Sequence, residues 1–163
     1  MAKERNGGCR HLPFSILHRR FFPYDSGMAA RLFRVILQVN DIEEAARFYA
    51  ELLGAGGERV SRGRHYFDCG GTILACFDPR ADGNGFDATP NPDHVYFAVE
   101  DLPALHARAK AAGCRKVDET ITTWPWGERS FYATDPFGNP ICLVDAATVF
   151  RGGRFVERNA TFR

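Results

Sequence analysis

The stretch RVILQVND at Arg34–Asp41 returns sixty positions later as HVYFAVED at His94–Asp101. Each copy opens on a basic side chain, alternates through an apolar strand and closes on Asp, so a duplicated unit is the first hypothesis to carry along the chain. The segments after the two copies also match. In DIEEAARFYAELLG, Asp41 reads as an N-cap with Glu44 three residues on, Ile42, Ala45, Tyr49, Leu52 and Leu53 recur at helical spacing, and Gly54 stops the run. In DLPALHARAKAAG, Asp101 caps, Pro103 sits in the permissive first turn, Leu102, Leu105, Ala109 and Ala112 form the stripe, and Gly113 ends it. Strands are expected at Glu58–Arg62, Arg64–Cys69 and Thr72–Asp78, and again at Arg115–Thr122, Glu128–Thr134 and Asn139–Asp145. DCGGTILACFD aligns with DPFGNPICLVD, Gly71 on Gly138, and a longer hairpin around TTWPWGE takes up the difference in spacing.

The expected fold class is α+β, built from two tandem β-α-β-β-β modules, 31–78 and 94–146, within one domain spanning 31–146. Neither half has enough apolar surface to close a core alone. The Gly-, Pro-, Asn- and Asp-rich residues 79–93 read as the linker. Residues 1–30 form a leader expected to be disordered or outside the fold, with Met28 as an alternative start, and 147–163 a basic, glycine-containing tail.

Charge and cysteine usage narrow the function classes. Residues 1–27 hold five Lys/Arg against two acids, which leaves sixteen against eighteen on the remainder. A nucleic-acid partner is therefore not expected, because such domains concentrate basic charge on the folded part. The five cysteines include no C-x-x-C pair, so neither a zinc framework nor a disulfide scaffold is written, and free thiols point to a reducing cytoplasm. No apolar run is long enough to span a bilayer, and no membrane partner is expected.

The V-x-D-[I/L] junctions and the ending FYATDPFGNPICLVD make the chain resemble the vicinal oxygen chelate superfamily, which includes glyoxalase I, extradiol dioxygenases and bleomycin-resistance proteins. The resemblance covers about residues 31–146. It implies a half-open, eight-stranded barrel with helices outside, a cup for a small molecule, and a homodimer. Metal-using members ligate through the start of each module's first strand and through the last strand. The matching positions here are Arg34, Ala75, His94 and Cys142. A guanidinium has no lone pair to give and Ala75 has no donor atom. No cofactor and no metal site are expected, a divalent ion held by His94 in an unusual ligand set being the alternative.

Alternation places Arg34, Ile36 and Gln38, with His94, Tyr96 and Ala98, on the cup face. The expected function is to bind a small anionic or aromatic molecule there. Arg34 would grip an anionic group, with a surface pair to an acid such as Glu128 as the alternative; Gln38, His94 and Cys142 would line the cup, Cys142 as a small buried hydrophobe. Tyr96, Trp124 and Trp126 would supply flat apolar contact, packing of the tryptophans across a dimer seam or onto the second module being the alternative. Two other functions compete with it. One is a metal-dependent lyase or dioxygenase using His94. The other is a structural, dimer-forming module with no ligand. No catalytic residue is assigned. His65 and His106 read as structural or surface residues.

Overall fold

The computed structural model describes residues 30–152; the expectations for the leader and for the end of the tail fall on residues outside that range. The first module runs β1 (Arg34–Gln38), α1 (Ile42–Leu53), β2 (Glu58–Ser61), β3 (Arg64–Asp68) and β4 (Ile73–Phe77). The second runs β5 (Val95–Val99), α2 (Leu102–Ala111), β6 (Lys116–Val117), β7 (Thr122–Thr123), β8 (Arg129–Thr134) and β9 (Pro140–Asp145).

Both helices begin where the sequence places them. The Asp41 carboxylate accepts from the backbone N–H of Glu43 and Glu44, and that of Asp101 accepts from Ala104 N–H. Each satisfies donors that a helix start would otherwise leave open. Gly54 adopts φ 68° at the end of α1, a conformation that a side chain would strain. The buried stripe of α1 is Ile42, Ala45, Phe48, Tyr49 and Leu52, so Phe48 joins the expected set and Leu53 is only half-buried.

The duplication is visible in the ladders. β1 runs parallel to β4 with Ile36 opposite Ala75, and β5 runs parallel to β9 with Tyr96 opposite Cys142. The first sheet is ordered β1-β4-β3-β2 and the second β5-β9-β8-β6, with β7 also on β8. Among the described residues no ladder joins the two sheets, so the inner edges of β1 and β5 stay unpaired. The modules are united instead by a single apolar core, in which Leu37, Phe67 and Leu74 of one meet Phe97, Phe131 and Leu143 of the other around Tyr49, Leu52, Leu102 and Leu105. That shared core is why a lone module would be left with an open apolar face.

The expected strand Arg115–Thr122 is broken in two. Asp118 N–H still bonds Tyr132 carbonyl, but the Asp118 carboxylate takes Tyr132 N–H, the position its own carbonyl would fill in a regular ladder. Pairing resumes only at Thr122 opposite Ser130, after a two-residue bulge. The start of the tail folds back onto β8: Thr148 Oγ1 accepts from Arg129 N–H, and Phe150 N–H donates to Glu128.

Candidate functional site

Each sheet turns one face to the helices and the other outward. Leu37, Val39 and Phe97 are buried under the helices, whereas Arg34, Ile36, His94, Tyr96 and Ala98 are exposed on the opposite face. The alternation read from the sequence holds on both strands.

On the first sheet, Arg34 stacks its guanidinium over two rings, 4.9 Å from the Phe33 centroid and 4.7 Å from that of Tyr66. Tyr66 lies across the sheet on Ala75, next to the Ile36 row, so the stack sits on the outward face. Among the described residues Arg34 has no carboxylate partner, and the Glu128 pairing that would make it a mere surface ion pair does not form. Gln38 serves another purpose: its side-chain oxygen accepts from Thr89 N–H, and its carbonyl accepts from Asn139 Nδ2 at 3.0 Å. It holds the linker and the second module rather than presenting a free amide.

The second sheet carries a continuous run of rings. His94 lies 4.8 Å from Tyr132 and 6.4 Å from Tyr96, both edge-on. Trp124 lies 6.1 Å from Tyr132 and stacks on Trp126 at 5.3 Å with planes only 6° apart. Pro125 and the turn closed by Gly127 N–H on Trp124 carbonyl bring the two indoles together. Trp124 is pinned by its Nε1–H donating to Ser130 Oγ at 2.8 Å. Cys142, opposite both Tyr96 and Tyr132, is buried beneath them. Burial pushes its thiol up to about 11, with the Glu128 and Asp118 carboxylates adding to the shift, so at neutral pH it is a thiol and not a nucleophile. Burial likewise carries the Tyr132 phenol up to about 12.

His94, Tyr96, Trp124, Trp126 and Cys142 therefore converge on one sheet, while Arg34 and Gln38 belong to the other, and no hydrogen bond or ion pair connects Arg34 to His94. Tyr132, Ser130 and Tyr66 complete these surfaces and escape sequence reasoning. Their positions depend on which residue lies opposite which in β8 and β3, a register that alternation within one strand does not supply.

The four positions matching the family's ligands do not fit a divalent ion. Arg34 is a stacked cation, Ala75 is buried without a donor, and Cys142 holds its proton, leaving His94 alone. Among the described residues no three His, Cys, Asp or Glu side chains gather closely enough for a metal, and resident ions normally have at least three protein ligands.

DPFGN is a structural rivet. Asp135 is fully buried and accepts from Tyr49 OH (2.8 Å), Asn139 Nδ2 (2.8 Å), Asn139 N–H (2.7 Å) and Phe137 N–H (2.9 Å). Asn139 in turn bonds Gln38 carbonyl and Asn91 N–H, so one turn ties β9 to α1, β1 and the linker. Burial and the neighbouring Asp135 charge hold the Tyr49 phenol well above its ordinary range. His65 and His106 are structural, bonding through Nε2 to the carbonyls of Gly56 and Asp118.

A cavity of about 740 Å³ opens between β1, β5 and the helices beneath them and reaches the second face at Tyr96 and Ala98. Val35, Leu52, Phe97 and Leu105 line it, and of the expected site residues it includes only Tyr96.

Residues 31–143 match the family model of the Glyoxalase/Bleomycin resistance protein/Dioxygenase superfamily. The uncharacterized protein YwbC of Bacillus subtilis (strain 168) is 28% identical over 124 residues, 68% of this chain and 94% of that protein. A glyoxalase/bleomycin resistance protein from Albidiferax ferrireducens T118 superposes with a TM-score of 0.59 at 27% identity, covering 69% of this chain and 97% of that one. A lactoylglutathione lyase from Agrobacterium tumefaciens, at 23% identity, TM-score 0.56 and coverage of 72% and 94%, shares the fold.

Proposed function

The chain belongs to the glyoxalase/bleomycin resistance protein/dioxygenase superfamily, and from that premise we propose that it binds a small organic molecule with a flat ring and an anionic group, without a metal. The observation that carries the reading is the unbroken line of rings from Trp126 through Trp124, Tyr132 and His94 to Tyr96 on an exposed sheet face. Surface this aromatic, left open to solvent and backed by a buried thiol and hydroxyl, suits a flat ligand better than it suits water. Arg34, stacked on Tyr66 and without a carboxylate partner among the described residues, is suited to the anionic end. Four free thiols among the described residues favour a cytoplasmic setting.

A homodimer is part of the reading. Leu32 and Ile36, beside and within β1, are 66% and 43% exposed, and the edge of β1 is unpaired among the described residues, so a second copy seated there would cover apolar surface and an open edge together while leaving the ring-lined face free. Sedimentation is expected to give twice the 18.2 kDa mass of the chain, and a monomer at micromolar concentration would remove this part.

Titration with aromatic carboxylates tests the binding claim. Trp124 and Trp126 are the chain's two tryptophans, so indole fluorescence reports on the proposed face alone. Saturable quenching with a matching rise in melting temperature is expected, and Arg34→Met is expected to weaken the anion by roughly tenfold. A panel that neither quenches nor stabilises would defeat the proposal and favour the structural-module alternative.

A further inference from the structure

We infer that the ring bound on the second sheet is a planar cation, so that the ligand is a flat, positively charged heteroaromatic carrying an anionic group. The inference rests on the reading of that face as the binding surface, and adds the sign of the charge it prefers.

Two independent features point to it. The surface is made of π-systems whose faces are electron-rich, and the outer face of Trp126, stacked on Trp124 and half exposed, is open to a ligand. Indole is the strongest of the natural cation–π partners. The charges around the rings have the same sign. The Asp118 carboxylate sits at Tyr132 N–H at 3.0 Å, and Glu128 is anchored beside the cluster by Phe150 N–H at 3.1 Å. Both act on the Cys142 thiol in the direction of a negative local potential, opposing formation of a thiolate. The adjacent cation Arg129 is neutralised by Asp145 at 2.9 Å. A field that resists new negative charge beneath the rings favours positive charge above them.

The test uses the full chain and three probes of equal shape: N-methylquinolinium, its uncharged analogue quinoline at neutral pH, and 2-naphthoate. Affinities come from calorimetry, with tryptophan quenching as the site reporter. N-methylquinolinium is expected to bind about tenfold tighter than quinoline. Glu128→Gln, which keeps an acceptor for Phe150 N–H, is expected to cut that preference at least threefold and leave quinoline unchanged. Raising salt from about 20 mM to about 0.5 M on the unmodified protein should weaken the cation selectively, which keeps the test independent of how the variant folds. Quinoline binding as tightly as the cation, or a cation preference untouched by both Glu128→Gln and salt, would overturn the charge preference while leaving the ring site standing. Failure of all three probes to bind would remove the ring site itself.

Discussion

Replacing Asp135 by Asn tests the rivet that joins the modules. Oδ1 accepts two backbone N–H groups and Oδ2 accepts Tyr49 OH and Asn139 Nδ2. All four partners donate to the carboxylate; an amide with its NH2 on the Oδ2 side keeps only a reversed, uncharged bond to the Tyr49 hydroxyl and meets Asn139 Nδ2 donor to donor, and turned the other way it faces two backbone N–H groups. Hydrogen bonds to a charged group are worth about 1.5–3 kcal/mol each, and the site is fully buried, so Asp135→Asn should cost about 3–5 kcal/mol. Tyr49→Phe removes one donor and leaves Oδ2 with Asn139, a loss of about 1–2 kcal/mol. Urea unfolding at fixed protein concentration measures both. With a slope of about 2 kcal/mol per molar, the Asp135→Asn midpoint should fall by roughly 2 M. The double variant should be less destabilised than the sum, because both changes remove the same charge-assisted bond. An Asp135→Asn loss below about 1 kcal/mol, or strictly additive effects, would refute the rivet.

Stability should be flat through neutral pH and fall as pH rises past the ordinary thiol range towards about 11. Burial, above all, holds Cys114 and Cys142 at about 11 and keeps Cys76 and Tyr49 raised as well, so the folded protein retains protons that the unfolded chain releases. A level profile across that range in denaturation curves would contradict it. Thiol labelling of the native protein, read by peptide mapping, should reach exposed Cys69 well before Cys76 and Cys142, which should react only on unfolding; rapid native labelling of Cys142 would mean that its thiol is neither buried nor protonated. Protein purified without chelators should carry only sub-stoichiometric Fe, Ni, Mn and Zn and melt at the same temperature after EDTA. Stoichiometric metal lost on His94→Ala would instead support the lyase or dioxygenase alternative.

The parts of the fold that depend on local chemistry were readable from the chain. Asp41 and Asp101 cap because short carboxylates satisfy helix N–H groups, and period-two alternation put Arg34 and His94 on the outward faces. Contacts across long separations were not readable. Asp135 meets Tyr49 across eighty-six positions, so a motif that carries the family resemblance proves to be a joint between modules. Tyr132 reaches the ring cluster only because β8 pairs with β9 in one register, and the side chain of Asp118 breaks the strand that sequence drew as continuous. Gln38 faces outward as alternation requires, yet Thr89 N–H takes its side-chain oxygen and Asn139 Nδ2 its backbone carbonyl, which no pattern within β1 announces.

Whether the ring-lined face of the second sheet receives a flat ligand is tested most directly by fluorine NMR of protein carrying 5-fluorotryptophan. The two resonances, from Trp124 and Trp126, should both shift and saturate with the aromatic ligand that most raises the melting temperature. If that stabilising ligand leaves both resonances in place, the molecule is bound elsewhere, and the cavity between β1 and β5 becomes the site to pursue.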